Sequence, residues 1–432
     1  MGALKAAAAQ VELHPAVGGW MTGFAARIQP AIGVHDSIMA RAVLLHNNTT
    51  SLVIVSCDVI GFTADTAADI RRRIAERSGI PAANIFIGCT HTHSGPATMP
   101  FRGAMGHVDH TWLAQTTERV VDLVCSLPPA LRPARVAYGQ TRVIEIGYNR
   151  QDAHHPIDDM LTVLAVDDAE GQAIATVLNY ATHAVVLGPR NLEYSGDYPG
   201  EAARQIADLR GGVGLFLLGA CGDVDPIVYR DRGWGSGTFF DICEIGGRLA
   251  DAALDILARV QPTVDATIGV AGNTIDLPLD PPPDLAALGN LIQQFKRDQH
   301  TAEEQGLTTE ALTAAAMLDW ATELHQAMQA GRVPRTLPIE IVVARLNDLC
   351  IAAVPLEPYS DIGLRLRERL KPRPLLFAGY TNGLFGYCAS RWAKEQGGYG
   401  PDSSARWFPG MLTPIGVGAD EQVINTIEAL AG

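Results

Sequence analysis

Six short runs in this chain are apolar on successive residues: Ser51–Ser56, Asn84–Gly88, Ala175–Tyr180, Val213–Leu218, Asp348–Val354 and Pro374–Ala378. A strand with one wet face alternates apolar and polar side chains, so runs without that alternation imply strands covered on both sides. Between them lie stretches with helical periodicity at about 64–78, closed by Gly79, and at 110–127, 199–210, 240–259 and 358–370. Strand-like and helix-like segments that alternate in this way predict an α/β fold: a mostly parallel central sheet flanked by helices. Two more helices, near 284–299 and 308–330, are separated by the polar stretch His300 to Gly306 and follow the prolines between Pro278 and Pro283. They read as a helical insertion, about 280–333, in a single large domain spanning 1–432.

Charge narrows the partners. The 33 Lys and Arg against 47 Asp and Glu give a net charge of −14 with no basic cluster, which excludes nucleic acid and anionic membrane surfaces as expected partners. Seven scattered cysteines without a Cys-x-x-Cys pair point to reduced thiols rather than a disulfide framework or a thiolate metal site. No secretory apolar core is present near Met1, and no stretch of 18 or more apolar residues runs uninterrupted. The expectation is a cytoplasmic protein without integral membrane association, acting on a small molecule, with a homo-oligomer allowed but not required.

Each apolar run delivers polar residues just past its C-terminal end. These are Asp58; His91 and His93 in CTHTHSGP; His183; Asp223 and Asp225; Glu357; and Tyr380, then Tyr387. In an open α/β sheet, ligands bind outside the carboxyl ends of the strands, so these loops are candidates to meet at one place. His91 and His93 are two residues apart and would share a face if the strand continued. That spacing suits a metal, and it suits a hydrogen-bonded pair of structural histidines equally. Two imidazoles, a carboxylate and a further oxygen donor form a set that Zn²⁺ accepts in hydrolytic enzymes. Neither a phosphate loop nor a Gly-x-Ser-x-Gly elbow is found.

The motifs resemble the catalytic domain of the neutral/alkaline (non-lysosomal) ceramidases and their shorter bacterial relatives. The resemblance is carried by Gly19-Trp-Met-Thr-Gly-Phe24, Gly33-Val-His-Asp36, CTHTHSGP, Tyr148-Asn-Arg150, Asn179-Tyr-Ala-Thr-His183, Ser195-Gly-Asp-Tyr-Pro-Gly200, Gly222-Asp-Val-Asp-Pro226, Val354-Pro-Leu-Glu357, Tyr387 and Tyr399. It implies one Zn²⁺ per chain held by His91, His183, Glu357 and Tyr387, with His93, Arg150 and Tyr399 around the scissile carbonyl. It also implies a zinc-dependent hydrolase that cleaves the amide of an N-acyl substrate through metal-activated water, in lipid and sphingolipid metabolism. Asp225 stands where the family carries a serine, Leu356 where a glycine is usual, and Gly400 where a glutamate is usual. The chain also ends at Gly432, without the family's immunoglobulin-like C-terminal domain. These departures bear on ceramide more than on hydrolysis.

Several roles stay open at this level. Asp225 is either a catalytic proton acceptor or a binder of a substrate amine or hydroxyl. Arg150 is either a substrate contact or an ion-pair partner of Asp158 or Asp159. His35 and Asp36 support a ligand or form a turn, and Asp223 is expected to bond loop amides. The alternative activities are a zinc-dependent esterase, lactonase or carbohydrate-active hydrolase, and a ligand-binding protein without turnover.

Overall fold

In the computed structural model, which describes residues 2–432, two sheets pack face to face. The larger contains β1 (Lys5–Glu12), β2 (Met39–His46), β3 (Ser51–Cys57), β4 (Ile85–Cys89), β5 (Arg132–Arg142), β6 (Met160–Asp168), β7 (Ala173–Tyr180) and β8 (Val213–Leu218), in the spatial order β8-β7-β6-β5-β1-β2-β3-β4. The smaller contains, in order, β9 (Ile268–Pro278), β10 (Thr336–Leu346), β11 (Leu349–Ala353) and β12 (Leu375–Ala378).

The architecture is mixed α/β, and the mostly parallel sheet expected from sequence is found only in part. Parallel ladders join β3 to β4, β7 to β8 and β11 to β12. The other ladders of both sheets are antiparallel. The six apolar runs are the six strands of these two sheets that pair in parallel. The antiparallel strands carry weaker signals. β1 is largely alanine, a poor strand former, and β9 is exposed over much of its length.

Apolar side chains fill the space between the sheets: Val43, Ile54, Phe86, Leu164, Val177 and Leu215 from the larger, Val342, Ile351 and Leu376 from the smaller. Burying each such side chain contributes roughly 1.5–3 kcal/mol. Helices α1 (Ala64–Ser78), α2 (His110–Cys125), α3 (Asp197–Arg210) and α4 (Phe239–Leu257) cover the outer face of the larger sheet. Two further helices, α5 (Leu285–Glu304) and α6 (Thr308–Gln329), pack on each other in the connection from β9 to β10. Pro278 and Thr336 are register partners, so this helical pair extends what would otherwise be a hairpin turn. The outer face of the smaller sheet is covered by α7 (Ser360–Arg369) and α8 (Ala419–Ala431), completing four layers, αββα. No helix among the described residues is long and apolar enough to cross a membrane.

At one rim the sheets are stitched together. Gly379 donates its N–H to the Leu218 carbonyl (3.0 Å), Cys89 to Tyr380 (3.1 Å) and Asn382 to Ile87 (2.9 Å). The C-terminal ends of β4, β8 and β12 are therefore drawn together. A side chain at Gly88 would not fit, because its Cβ would lie 2.4 Å from Leu217 Cδ2.

Candidate metal centre

The chain leaves β4 through His91, whose φ of +59° is unusual for a residue other than glycine. Such strain persists only where surrounding bonds enforce it. Here the His91 N–H bonds the Val59 carbonyl (3.0 Å), and its Nδ1 sits 2.6 Å from the Ile60 carbonyl. His183, after β7, places Nδ1 2.8 Å from the Cys221 carbonyl. A ring nitrogen facing a carbonyl carries the proton, which leaves Nε2 of both rings with a free lone pair. Glu357 starts a two-residue parallel pairing with Tyr387 and Cys388, and its N–H bonds the Gly386 carbonyl (2.8 Å).

These elements converge. Glu357 Oε2 lies 3.4 Å from His91 Nε2 and 3.5 Å from His183 Nε2, and His93 Nε2 lies 3.3 Å from His91 Nε2. His91, His93 and His183 present nitrogens that all lie within 4.8 Å of one another and could hold a metal ion. Among the described residues, neither His183 Nε2 nor Glu357 Oε2 has a hydrogen-bond partner, although both are buried. Orphaned buried atoms are costly unless something else satisfies them. A tetrahedral cation with bonds near 2.1 Å separates its ligands by roughly 3.4 Å, which matches the spacings here.

Electrostatics favour the same occupant. Burial, followed by the neighbouring imidazoles, holds His93 well below its ordinary value; burial also lowers His183, so both are neutral near pH 7 and able to donate a lone pair. Burial pushes the Glu357 carboxyl upward, while its proximity to His91 and His183 pulls it down by more. Tyr387, the register partner of Glu357, stacks on the His183 ring with centroids 6.4 Å apart.

A cavity of about 330 Å³ opens onto this cluster. Its apolar wall includes Phe24, Met105, Val185, Trp234 and Trp407; its polar wall holds His93, His183, Arg150, Asp225, Tyr387 and Tyr399. Arg150 donates to the Gly222 carbonyl (2.6 Å) and approaches Asp225 Oδ1 at 3.4 Å. Its guanidinium lies 5.4 Å from the Tyr387 ring centroid and 5.9 Å from that of Tyr399, which is half exposed at the mouth.

Residues 14–213 match the family model described as neutral/alkaline non-lysosomal ceramidase, N-terminal. Neutral ceramidase of Pseudomonas aeruginosa is 24% identical over 433 residues, covering 86% of this chain and 64% of the relative. The whole chain also superposes on 75% of the crystal structure of neutral ceramidase from Pseudomonas aeruginosa, with a TM-score of 0.75 and 19% identity. The chain is thus similar in sequence to the neutral/alkaline non-lysosomal ceramidases over its N-terminal part and shares their fold. It spans less than two thirds of that curated relative, and 28% of neutral ceramidase B of Dictyostelium discoideum, which is 22% identical over 204 residues and matches 42% of this chain. A structure described as ceramidase complexed with C2 superposes comparably, with a TM-score of 0.74 and 18% identity.

Within this fold, the eight residues singled out from sequence lie around one point or its cavity, drawn from seven separate chain segments. The open alternatives for their neighbours resolve as well. Asp158 pairs with Arg367 and Asp159 with Arg142, which leaves Arg150 to the cavity. Asp36 accepts the Gly196 N–H (2.7 Å) and His35 stacks on Phe239, so this pair ties loops together at a distance from the cluster. Asp223 accepts hydrogen bonds from Ser360 and Asn149.

Two further contacts around the site emerge only in the structure. Arg27, 2% exposed, donates to the backbone carbonyls of Thr22, His93, Gly188 and Asn191 and holds three loops in place behind the cavity. Gly23 adopts φ +96°, and a Cβ there would lie 2.4 Å from the His93 ring. Gly23→Ala is expected to displace His93 and lower kcat/KM by about 10²-fold, the scale set by a roughly 1 Å misplacement of an active-site group. Steady-state kinetics at unchanged metal content check this.

Proposed function

We propose that the protein is a zinc-dependent hydrolase that cleaves the amide bond of an N-acylated substrate. The observation that carries this reading is the meeting of His91 Nε2, His183 Nε2 and Glu357 Oε2 at ligand spacing, with two of those atoms unpartnered, at the inner end of a cavity. His91, His183 and Glu357 would hold the ion with Tyr387 as the fourth ligand, while His93 borders it. Zn²⁺ in such a site supplies Lewis acidity and lowers the pKa of water toward ~7.

The chain's own residues do the rest. Arg150, His93 and Tyr399 present N–H and O–H donors to the carbonyl oxygen as negative charge develops on it, and each such donor is worth about 10²–10³ in rate. Arg150 can do so because the Gly222 carbonyl and the Tyr387 ring fix its guanidinium. The apolar wall of Phe24, Met105 and Trp407 excludes water around the acyl group, which strengthens these interactions. The similarity to neutral ceramidases supports amide hydrolysis over other bonds.

Purified protein assayed against matched N-acyl amines, esters and glycosides, with metal content measured alongside, tests the proposal. One zinc per chain and amide cleavage are expected. Dialysis against a chelator should lower the rate by at least about 10³-fold, equivalent to several kcal/mol of lost charge stabilisation. One equivalent of zinc should restore it. Glycoside cleavage without amide cleavage, or full activity in metal-free protein, would overturn the reading.

A further inference from the structure

We infer that Asp225 selects the substrate: it receives a hydroxyl on the amine half of a small, single-chain N-acyl compound. This inference rests on the amidase reading and deepens it. Asp225 is fixed by the antiparallel pairing of Val224–Pro226 with Gly147–Asn149, in which it faces Tyr148 across the ladder. It is 7% exposed and is the one carboxylate among the residues lining the 330 Å³ cavity.

Its hydrogen bonding is incomplete. An ionised carboxylate offers about four acceptor positions, yet among the described residues a single side chain reaches this one: Arg150, at a long 3.4 Å. Arg150 makes its shorter bond to the Gly222 carbonyl instead. A carboxylate this enclosed needs further donors, and the cavity is where they can enter. The adjacent Arg150 charge disfavours a cationic partner and leaves a neutral hydroxyl as the better match.

Size supports the same class. The cavity lies near the lower limit of pockets that take drug-sized ligands, about 300–1,000 Å³. Trp234 packs edge-on against Phe24 at 5.8 Å, and Tyr399 stands at the mouth. Such a space holds one short chain and a compact head.

The test compares N-hexanoyl ethanolamine with N-hexanoyl propylamine, which differ by a hydroxyl in place of a methyl. Calorimetric binding to chelator-treated protein reads recognition separately from turnover, and the hydroxyl compound should bind about 10- to 100-fold more tightly. Asp225→Ala should reduce that ratio to within about 3-fold, and Asp225→Asn, which keeps an acceptor, should retain part of it. In metal-loaded protein the kcat/KM ratio should follow. Equal binding of the two compounds by the native protein, a ratio preserved in Asp225→Ala, or faster cleavage of a two-chain N-acyl lipid in detergent micelles would each overturn the proposal. Selective binding without amide cleavage would instead leave the hydroxyl subsite standing and overturn the amidase reading.

Discussion

Replacing Glu357 with alanine is expected to lower kcat/KM by at least about 10³-fold and to reduce bound metal to a small fraction of one per chain. Glu357 is 2% exposed and places Oε2 within 3.5 Å of both imidazole nitrogens, and among the described residues no donor satisfies that oxygen. A metal ligand cannot be removed at modest cost, because the remaining imidazoles no longer balance the ion's charge or complete its geometry. The substitution also removes a carboxyl that its proximity to His91 and His183 pulls below its ordinary value despite burial. Glu357→Gln separates the effects: it keeps the shape and loses the charge, so it should bind metal more weakly while unfolding normally. Undiminished zinc and activity in both variants would remove Glu357 from the centre.

Asp223→Ala is expected to have the largest effect on stability, about 1–3 kcal/mol, the cost of leaving buried donors unsatisfied. The Asp223 carboxylate is fully buried and accepts from Ser360 N–H, Ser360 Oγ and Asn149 Nδ2, each at 2.7 Å. It thereby ties the start of α7, three residues beyond Glu357, to the Gly147–Asn149 strand that immediately precedes Arg150. Alanine leaves those donors buried and unpaired. Denaturant unfolding should show a lowered midpoint with little change in slope. Burial raises the Asp223 carboxyl to about 6, above its value in the unfolded chain, so the folded state holds this proton more tightly. Its contribution to stability is therefore fully present below about pH 4 and declines as pH rises toward 6. Asp223→Asn should remove that decline.

Much of this molecule was readable from its amino-acid pattern, for identifiable reasons. The six apolar runs were legible because parallel strands buried on both faces lack alternation, and their three pairs carry the loops that build the site. The antiparallel strands between them were less so. β1 reads as an alanine-rich segment, and the ladder of β9 with β10 is interrupted in sequence by two helices. Helix positions followed from periodicity and end signals such as Gly79, which closes α1 in a left-handed conformation.

The site residues could be named because imidazoles and carboxylates stand out at the ends of apolar runs. Arg27 could not, because its role is four bonds to backbone carbonyls from distant loops, and carbonyls leave no trace in side-chain identity. Gly23 stood in the Gly19–Phe24 motif, but its reason for being glycine, the close approach to His93, shows only in the fold. Tyr380 was named at the end of an apolar run, but its packing 4.3 Å from the His91 ring on a left-handed backbone shows only in the fold.

The central claim is that one divalent cation is gripped by His91, His183, Glu357 and Tyr387, and anomalous scattering at the zinc edge from crystals of the metal-loaded protein tests it most directly. The account predicts a single strong peak within about 2.0–2.2 Å of the two Nε2 atoms and the Glu357 carboxylate, with the Tyr387 oxygen completing the set. A peak elsewhere in the fold, or none between these side chains, would contradict it.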